Sequence, residues 1–382
     1  MFENERALLE GLGHQIVTYE RRNDDILDSS RFAHLAAGVQ AVWSRRTHRD
    51  MVALLQRERP DIAHFHNTFP LVSPSGYAAC RRCGVPVVQT LHNYRLICPN
   101  ALLVRDGRPC ERCVGRTFPW PAIRFSCYRG SAAASSAVAA MLAVNRVREV
   151  YRSLVHRYIA LTRFAAGLMQ AGGLPPERIV VKPNFLPETP PSPNGGPRDG
   201  AVFVGRLSPE KGLWTLLEAW EILGSDATAL EVIGDGPLLR PLRACAADRG
   251  LPVTFLGARP RQEVLRRVRN ARVQVVPSLW YEGFPMVVLE AYASGTPVIA
   301  SRIGGLEEIV QHGRTGLLFE AGLPERLAAC VQEALRGGRD RELGRAAFER
   351  FGAEYSAQRN GTLLSGIYRS VCAEAVGSAG VG

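Results

Sequence analysis

Residues 273–291 read Val273-Gln274-Val275-Val276-Pro277-Ser278-Leu279-Trp280-Tyr281-Glu282-Gly283-Phe284-Pro285-Met286-Val287-Val288-Leu289-Glu290-Ala291. A β-branched run, a loop with a glycine and a helix opening on proline make one strand-loop-helix step of a parallel α/β sheet. Comparable apolar runs occupy 201–204, 229–233, 253–256 and 297–300, and their starts, with residue 273, are spaced 28, 24, 20 and 24 residues apart. That spacing leaves room for one strand, one helix and two short loops, which implies right-handed crossovers. Helices are expected over 212–223, 238–249, 262–270, 285–294 and 324–336. The first places Leu213, Leu216, Leu217, Trp220 and Leu223 on one face. The second half therefore reads as a Rossmann-like domain.

The first half repeats the pattern less regularly, with strands expected at 15–19, 61–65, 85–91 and 158–161 and an Ala-rich helix over 131–154. Residues 185–199, dense in Pro, Gly and Ser, read as a linker. The expected organisation is thus a domain over 1–184, a second over 200–354, and a tail over 355–382. In that tail a helix over 356–375 crosses back to the first domain, and 377–382 fray. A chain of 382 residues suits two domains. With 46% hydrophobic and 22% charged residues it is neither disordered nor a disulfide miniprotein. The longest apolar stretch, 132–144, is interrupted by serines and falls short of the ~20 residues that cross a bilayer. Nine cysteines and no basic-then-apolar leader point to the cytoplasm, with reduced thiols.

The net charge of +11 favours anionic partners. It is concentrated: residues 104–182 carry 13 basic and 4 acidic residues, a net +9. Phe118, Trp120, Phe125 and Tyr128 lie in the same segment, which suits peripheral contact with an anionic membrane surface. An ordinary basic surface over the acceptor side is the competing reading. No helix-turn-helix or RNP pattern accompanies the charge, so no nucleic acid is expected. Only two of the 47 basic residues are lysines, Lys182 and Lys211, so each is conspicuous.

Ligands of open parallel sheets sit beyond the carboxyl ends of the strands. After residue 204, Arg206 and Lys211 can grip a diphosphate from two sides. After residue 233, Gly234 and Gly236 let the backbone approach a ligand closely. After residue 276, Gly283, Phe284, Pro285 and Met286 lead into a helix whose first N–H groups suit phosphate or sugar. Glu282 and Glu290 are acceptors suited to paired sugar hydroxyls. In the first half His66 with Asn67, and His92 with Asn93, end two predicted strands. Imidazole there can bond a hydroxyl or move a proton near neutral pH. Cys98, Cys110, Cys113 and Cys127 make C-x11-C-x2-C-x13-C, which fits either a structural zinc or reduced buried thiols. Cys80 and Cys83 read as core.

Taken together, Gly205-Arg206 with Lys211, Gly234-Asp235-Gly236-Pro237, Glu282-x7-Glu290, Gly295-Thr296-Pro297-Val298 and Gly313-Arg314-Thr315-Gly316 resemble the group-1 (family 4) retaining glycosyltransferases. The resemblance implies an α/β GT-B fold, two Rossmann-like domains with parallel sheets facing across a cleft. It implies a nucleotide-sugar donor on the second domain, a glycan or lipid-linked acceptor on the first, and no required cofactor or catalytic metal. By the same resemblance Arg206 and Lys211 bind the diphosphate and Glu290 the ribose. Glu282 meets the transferred sugar or its phosphate, and His92 the sugar near its anomeric carbon. The implied activity is retaining hexosyl transfer in cell-surface polysaccharide assembly, in the cytoplasm or on the cytoplasmic membrane face. A protein that binds sugar nucleotide without turnover is the alternative. One departure stands out: such proteins open with a strand and a Gly-rich loop, whereas Met1–Arg6 already reads as the following helix. The expectation is that the first strand is missing and that a groove lined by Ile16 and Val17 is left.

Overall fold

The computed structural model describes residues 1–21, 41–188 and 196–379. They form two compact units: residues 1–103, 110–183 and 361–382 in one, and residues 104–109 and 184–360 in the other.

In the first unit β1 (Ala63–Phe65), β2 (Val87–Leu91), β5 (Arg157–Ala160) and β6 (Ile179–Val181) form a parallel sheet in the order β1-β2-β5-β6. The short strands β3 (Val104–Arg105) and β4 (Arg108–Pro109), which belong to the second unit, pair as an antiparallel hairpin. Leu9, Val88, Ile159, Leu364 and Val371 pack as one core cluster, so the helix Phe2–Gly11, the sheet and the C-terminal helix share it.

Four expectations are corrected here. Residues 15–19 form no strand. Among the described residues β1 pairs only with β2, and a lone extended segment has no ladder to join. Ile16 nevertheless packs on the core cluster while Val17 is exposed. The Ala-rich helix runs from Ala132 to Val147 and stops short of residue 154. Asn145 turns its amide onto the Met141 carbonyl, and Glu149 adopts a left-handed φ of 52° before a short second helix, Val150–Ser153. The linker is narrower than 185–199. Phe185 and Leu186 are buried, Arg198 donates to the carbonyls of Ser294 and Gly295, and residues 189–195 lie outside the described ones. The C-terminal helix, Ala357–Ala379, carries Gly377 within it rather than in a frayed end; 380–382 lie outside the described residues.

In the second unit β7 (Ala201–Val204), β8 (Leu230–Ile233), β9 (Val253–Gly257), β10 (Val273–Val276), β11 (Val298–Ser301) and β12 (Gly316–Phe319) form a parallel sheet ordered β12-β11-β10-β7-β8-β9. Helices cover the strands, which accounts for their mainly apolar runs, with Glu231, Thr254 and Gln274 as polar exceptions. Leu213, Leu216, Leu217 and Trp220, on the helix Leu213–Leu223, are buried as their spacing predicts. Trp220 keeps its indole N–H satisfied on the Thr228 carbonyl at 2.8 Å. From β7 the chain winds outward through β8 and β9, then returns to β10 on the opposite side. The strand order therefore reverses between β7 and β10, the point where open α/β sheets leave a crevice at their carboxyl ends.

Candidate active site

The loops that leave β7 and β10 meet at this reversal. Gly212 has φ 70°, and a Cβ there would lie 1.8 Å from the Pro277 carbonyl oxygen, so only glycine lets the loops come this close. The Leu279 amide donates to the Glu210 carbonyl at 2.8 Å and fixes the same approach. The result is that Lys211 and Glu282, 71 residues apart, touch: Lys211 Nζ donates to Glu282 Oε1 at 2.7 Å. Ser278 Oγ donates to the same oxygen at 2.6 Å. Lys211 Nζ also lies 5.4 Å from the centre of the Trp280 ring. Trp280 Nε1 is a buried donor with no partner among the described residues, an unmet polar group at a mouth where a ligand oxygen could satisfy it.

The other residues singled out on this unit are placed differently. Arg206 is exposed, on the same loop as Lys211. Gly234, φ 139°, allows the loop after β8 to lie against the Gly205 carbonyl. Gly236 follows in the same turn, where the Asp235 side chain accepts from its amide. Gly283 is partly exposed, whereas the Phe284 ring is turned inward against Tyr355 and Pro285 is buried. The helix begins at Met286, with Pro285 as its N-cap. Glu290 faces Arg261 at 3.6 Å; burial raises its pKa, and the guanidinium opposes the rise.

In the first unit His66 and His92 come together: His66 Nδ1 lies 2.9 Å from His92 Nε2. Asn67 and Asn93 do not join them. Each carboxamide oxygen accepts from a backbone amide two residues on, Phe69 and Arg95, closing a local turn. Three partners escaped the sequence reading. Glu5 accepts from Lys182 Nζ at 2.6 Å and faces His66 Nε2 at 3.3 Å, and Tyr368 bonds His64 Nδ1 at 2.7 Å. The one available signal was the scarcity of lysine, which marked Lys182. Burial pushes the Glu5 carboxyl up, yet Lys182, His64 and His66 outweigh it and hold it at about 2. Burial lowers His64 and His66 and, with the His66 charge, brings His92 to about 4. Burial thus favours the neutral form of all three imidazoles.

Cys98 and Cys113 are buried and Cys110 and Cys127 half-buried, all as free thiols. Burial raises Cys113 to about 11, with the charges of Cys98, Cys127 and Cys110 adding to it. Among the described residues, however, the ligand atoms that lie within 4.8 Å of one another belong to Glu5, His64 and His66. The four sulfurs are not gathered as a tetrahedral zinc site requires.

Two family models match the chain: Glycosyl transferases group 1 over residues 192–350, and Glycosyltransferase Family 4 over residues 6–188. The D-inositol 3-phosphate glycosyltransferase of Acidothermus cellulolyticus is 33% identical over 342 residues, 82% of this chain and 68% of that protein. The GDP-mannose-dependent alpha-(1-6)-phosphatidylinositol monomannoside mannosyltransferase of Mycobacterium tuberculosis is 38% identical over 150 residues, 37% of this chain and 39% of that one. Among solved structures, Anabaena HepE in complex with UDP superposes with a TM-score of 0.63 at 17% identity, covering 85% of this chain and 82% of that chain. The fold is GT-B, and the chain belongs to the group 1, family 4 glycosyltransferases.

Proposed function

We propose that this protein transfers a hexose from a nucleoside-diphosphate sugar to a glycan or lipid-linked acceptor, with retention at the anomeric carbon, in cell-surface polysaccharide assembly. The observation that carries the reading is the Lys211–Glu282 contact at the β7/β10 reversal, beside the unpartnered Trp280 N–H. Negative charge grows on the departing diphosphate, so a cation already fixed in place stabilises the transition state without reorganising. Glu282 and Ser278 supply that fixing for Lys211, while Arg206 is assigned to the other side of the diphosphate. The bond from the anomeric carbon to the phosphate oxygen breaks, the acceptor hydroxyl attacks from the same face, and its proton passes to the leaving phosphate. Glu290 is assigned to the ribose hydroxyls and His92 to a hydroxyl of the sugar. With the charge met by these cations the reading needs no metal, so EDTA should leave turnover unchanged.

The surface of residues 112–125 supports a peripheral role at an anionic membrane. Phe118, Trp120 and Phe125 are exposed. Arg112 and Arg116 lie over Phe125 and Trp120, and Arg124 completes the lining of an open groove of about 460 Å³. No helix among the described residues is long and apolar enough to cross a membrane. The direct test is nucleoside diphosphate release from a panel of nucleotide sugars, with and without a lipid-linked acceptor extract. Acceptor-dependent release with one donor, yielding a product of the donor's anomeric configuration, is expected. Release with none of them, or an inverted product, overturns the proposal.

A further inference from the structure

Lys182, Glu5, His66 and His92 form a buried chain of polar contacts that ends on the imidazole assigned to the sugar. Lys182 is 0% exposed, and its ammonium sits 2.6 Å from Glu5 Oε1. The other oxygen, Oε2, is buried and has no hydrogen-bond partner among the described residues; His66 Nε2 lies 3.3 Å from it. A carboxyl with a pKa of about 2 has no proton to offer. A bare imidazole nitrogen facing that oxygen would set lone pair against lone pair, so the proton of neutral His66 belongs on Nε2. His66 Nδ1 is then an acceptor, and the partner 2.9 Å away, His92 Nε2, must be the donor.

We infer that Lys182, Glu5 and His66 are positioning residues that hold His92 as its Nε2–H tautomer, leaving Nδ1 as an acceptor for a ligand hydroxyl. The inference rests on the reading that His92 meets the sugar. It specifies that the sugar donates to His92 rather than accepting from it. His64 is held apart from this chain by Tyr368 on Nδ1 and Thr90 on Nε2, at 2.7 and 2.8 Å. The charged groups facing the chain are Lys182, Glu5 and the Met1 amino group. A metal ion held by Glu5, His64 and His66 would have to displace one of the two hydrogen bonds that occupy the His64 ring nitrogens.

Histidine side-chain ¹⁵N NMR at pH 7 on the full chain tests this, with signals assigned by single His→Gln variants. His92 is expected protonated on Nε2 with Nδ1 bare. In Glu5→Gln the Lys182 ammonium keeps the amide oxygen, so the NH2 faces His66. Both imidazoles should then invert, putting the His92 proton on Nδ1. Nucleoside diphosphate affinity should stay unchanged while kcat of donor hydrolysis falls about tenfold, the worth of one hydrogen bond. If Glu5→Gln does not fold, His66→Phe should leave His92 a mixture of both tautomers. A wild-type His92 protonated on Nδ1, a His92 tautomer indifferent to both variants, or a divalent ion that co-purifies and is lost in Glu5→Gln overturns the inference. The NMR readout needs no turnover, so it separates from the sugar assignment: His92→Ala with undiminished transfer would sink that assignment and leave the tautomer result standing.

Discussion

At the scale of single residues, the donor site turns on which partner each charge keeps. Glu282 accepts from both Lys211 and Ser278, and on the proposed reading that contact aims the ammonium. Lys211→Ala should weaken nucleoside diphosphate binding about 10- to 100-fold, the loss of one charge-assisted hydrogen bond. Glu282→Gln should weaken it less, because the amide oxygen can still accept. Calorimetric titration measures both, and equal losses would argue that Glu282 touches the ligand itself. Glu290, whose pKa is raised by burial against the pull of Arg261, should respond to Gln by losing affinity for nucleosides with an intact ribose. Its 2′-deoxy counterpart should bind both forms alike.

At the scale of elements, what the sequence disclosed and what it hid have separable causes. Each strand of the second sheet except β12 is legible because helix-covered parallel strands are mainly apolar runs, and glycine or proline punctuates their loops. β12 escapes because it is short and opens on Gly316, the last residue of the Gly313-Arg314-Thr315-Gly316 motif. Residues 15–19 have a strand's composition, yet composition cannot supply the neighbour that a strand needs. Lys211 and Glu282 were each visible, but their contact was not, because it depends on a close approach of two loops. Gly212→Ala tests that approach: a Cβ 1.8 Å from the Pro277 oxygen must push the loops apart. Stability should fall by about 2–4 kcal/mol and donor binding with it. A folded variant with unchanged affinity would show that the contact is dispensable. For the segment 112–125, replacing Arg116 and Arg124 with Glu should abolish flotation with anionic liposomes and leave donor hydrolysis unaltered. Equal recovery on neutral and anionic vesicles by the unmodified protein would remove the membrane role.

At the scale of the whole molecule, the buried cluster of the first unit makes stability fall with acid. Burial holds the folded pKa values of His64, His66 and His92 below 6.5, so protons bind the unfolded chain first; their contribution is complete above pH 6.5 and is lost as pH falls through the folded values, about 4 for His92. Glu5, lowered from 4.5 to about 2, contributes above pH 4.5 and loses that contribution as pH falls through 2. Both act in one direction, and scanning calorimetry should find Tm lower by about 5–10 °C at pH 5 than at pH 7. A flat profile would mean that the imidazoles are solvated. In the other unit a strand-order reversal brings Lys211 and Glu282 together, at the place assigned above to a diphosphate. Thermal shift of wild type and Lys211→Ala against UDP, GDP, ADP, CDP and dTDP tests that assignment most directly. At least one of these should raise the wild-type Tm, and the variant should lose the rise; no rise with any of them, or an equal rise in the variant, would contradict the diphosphate assignment.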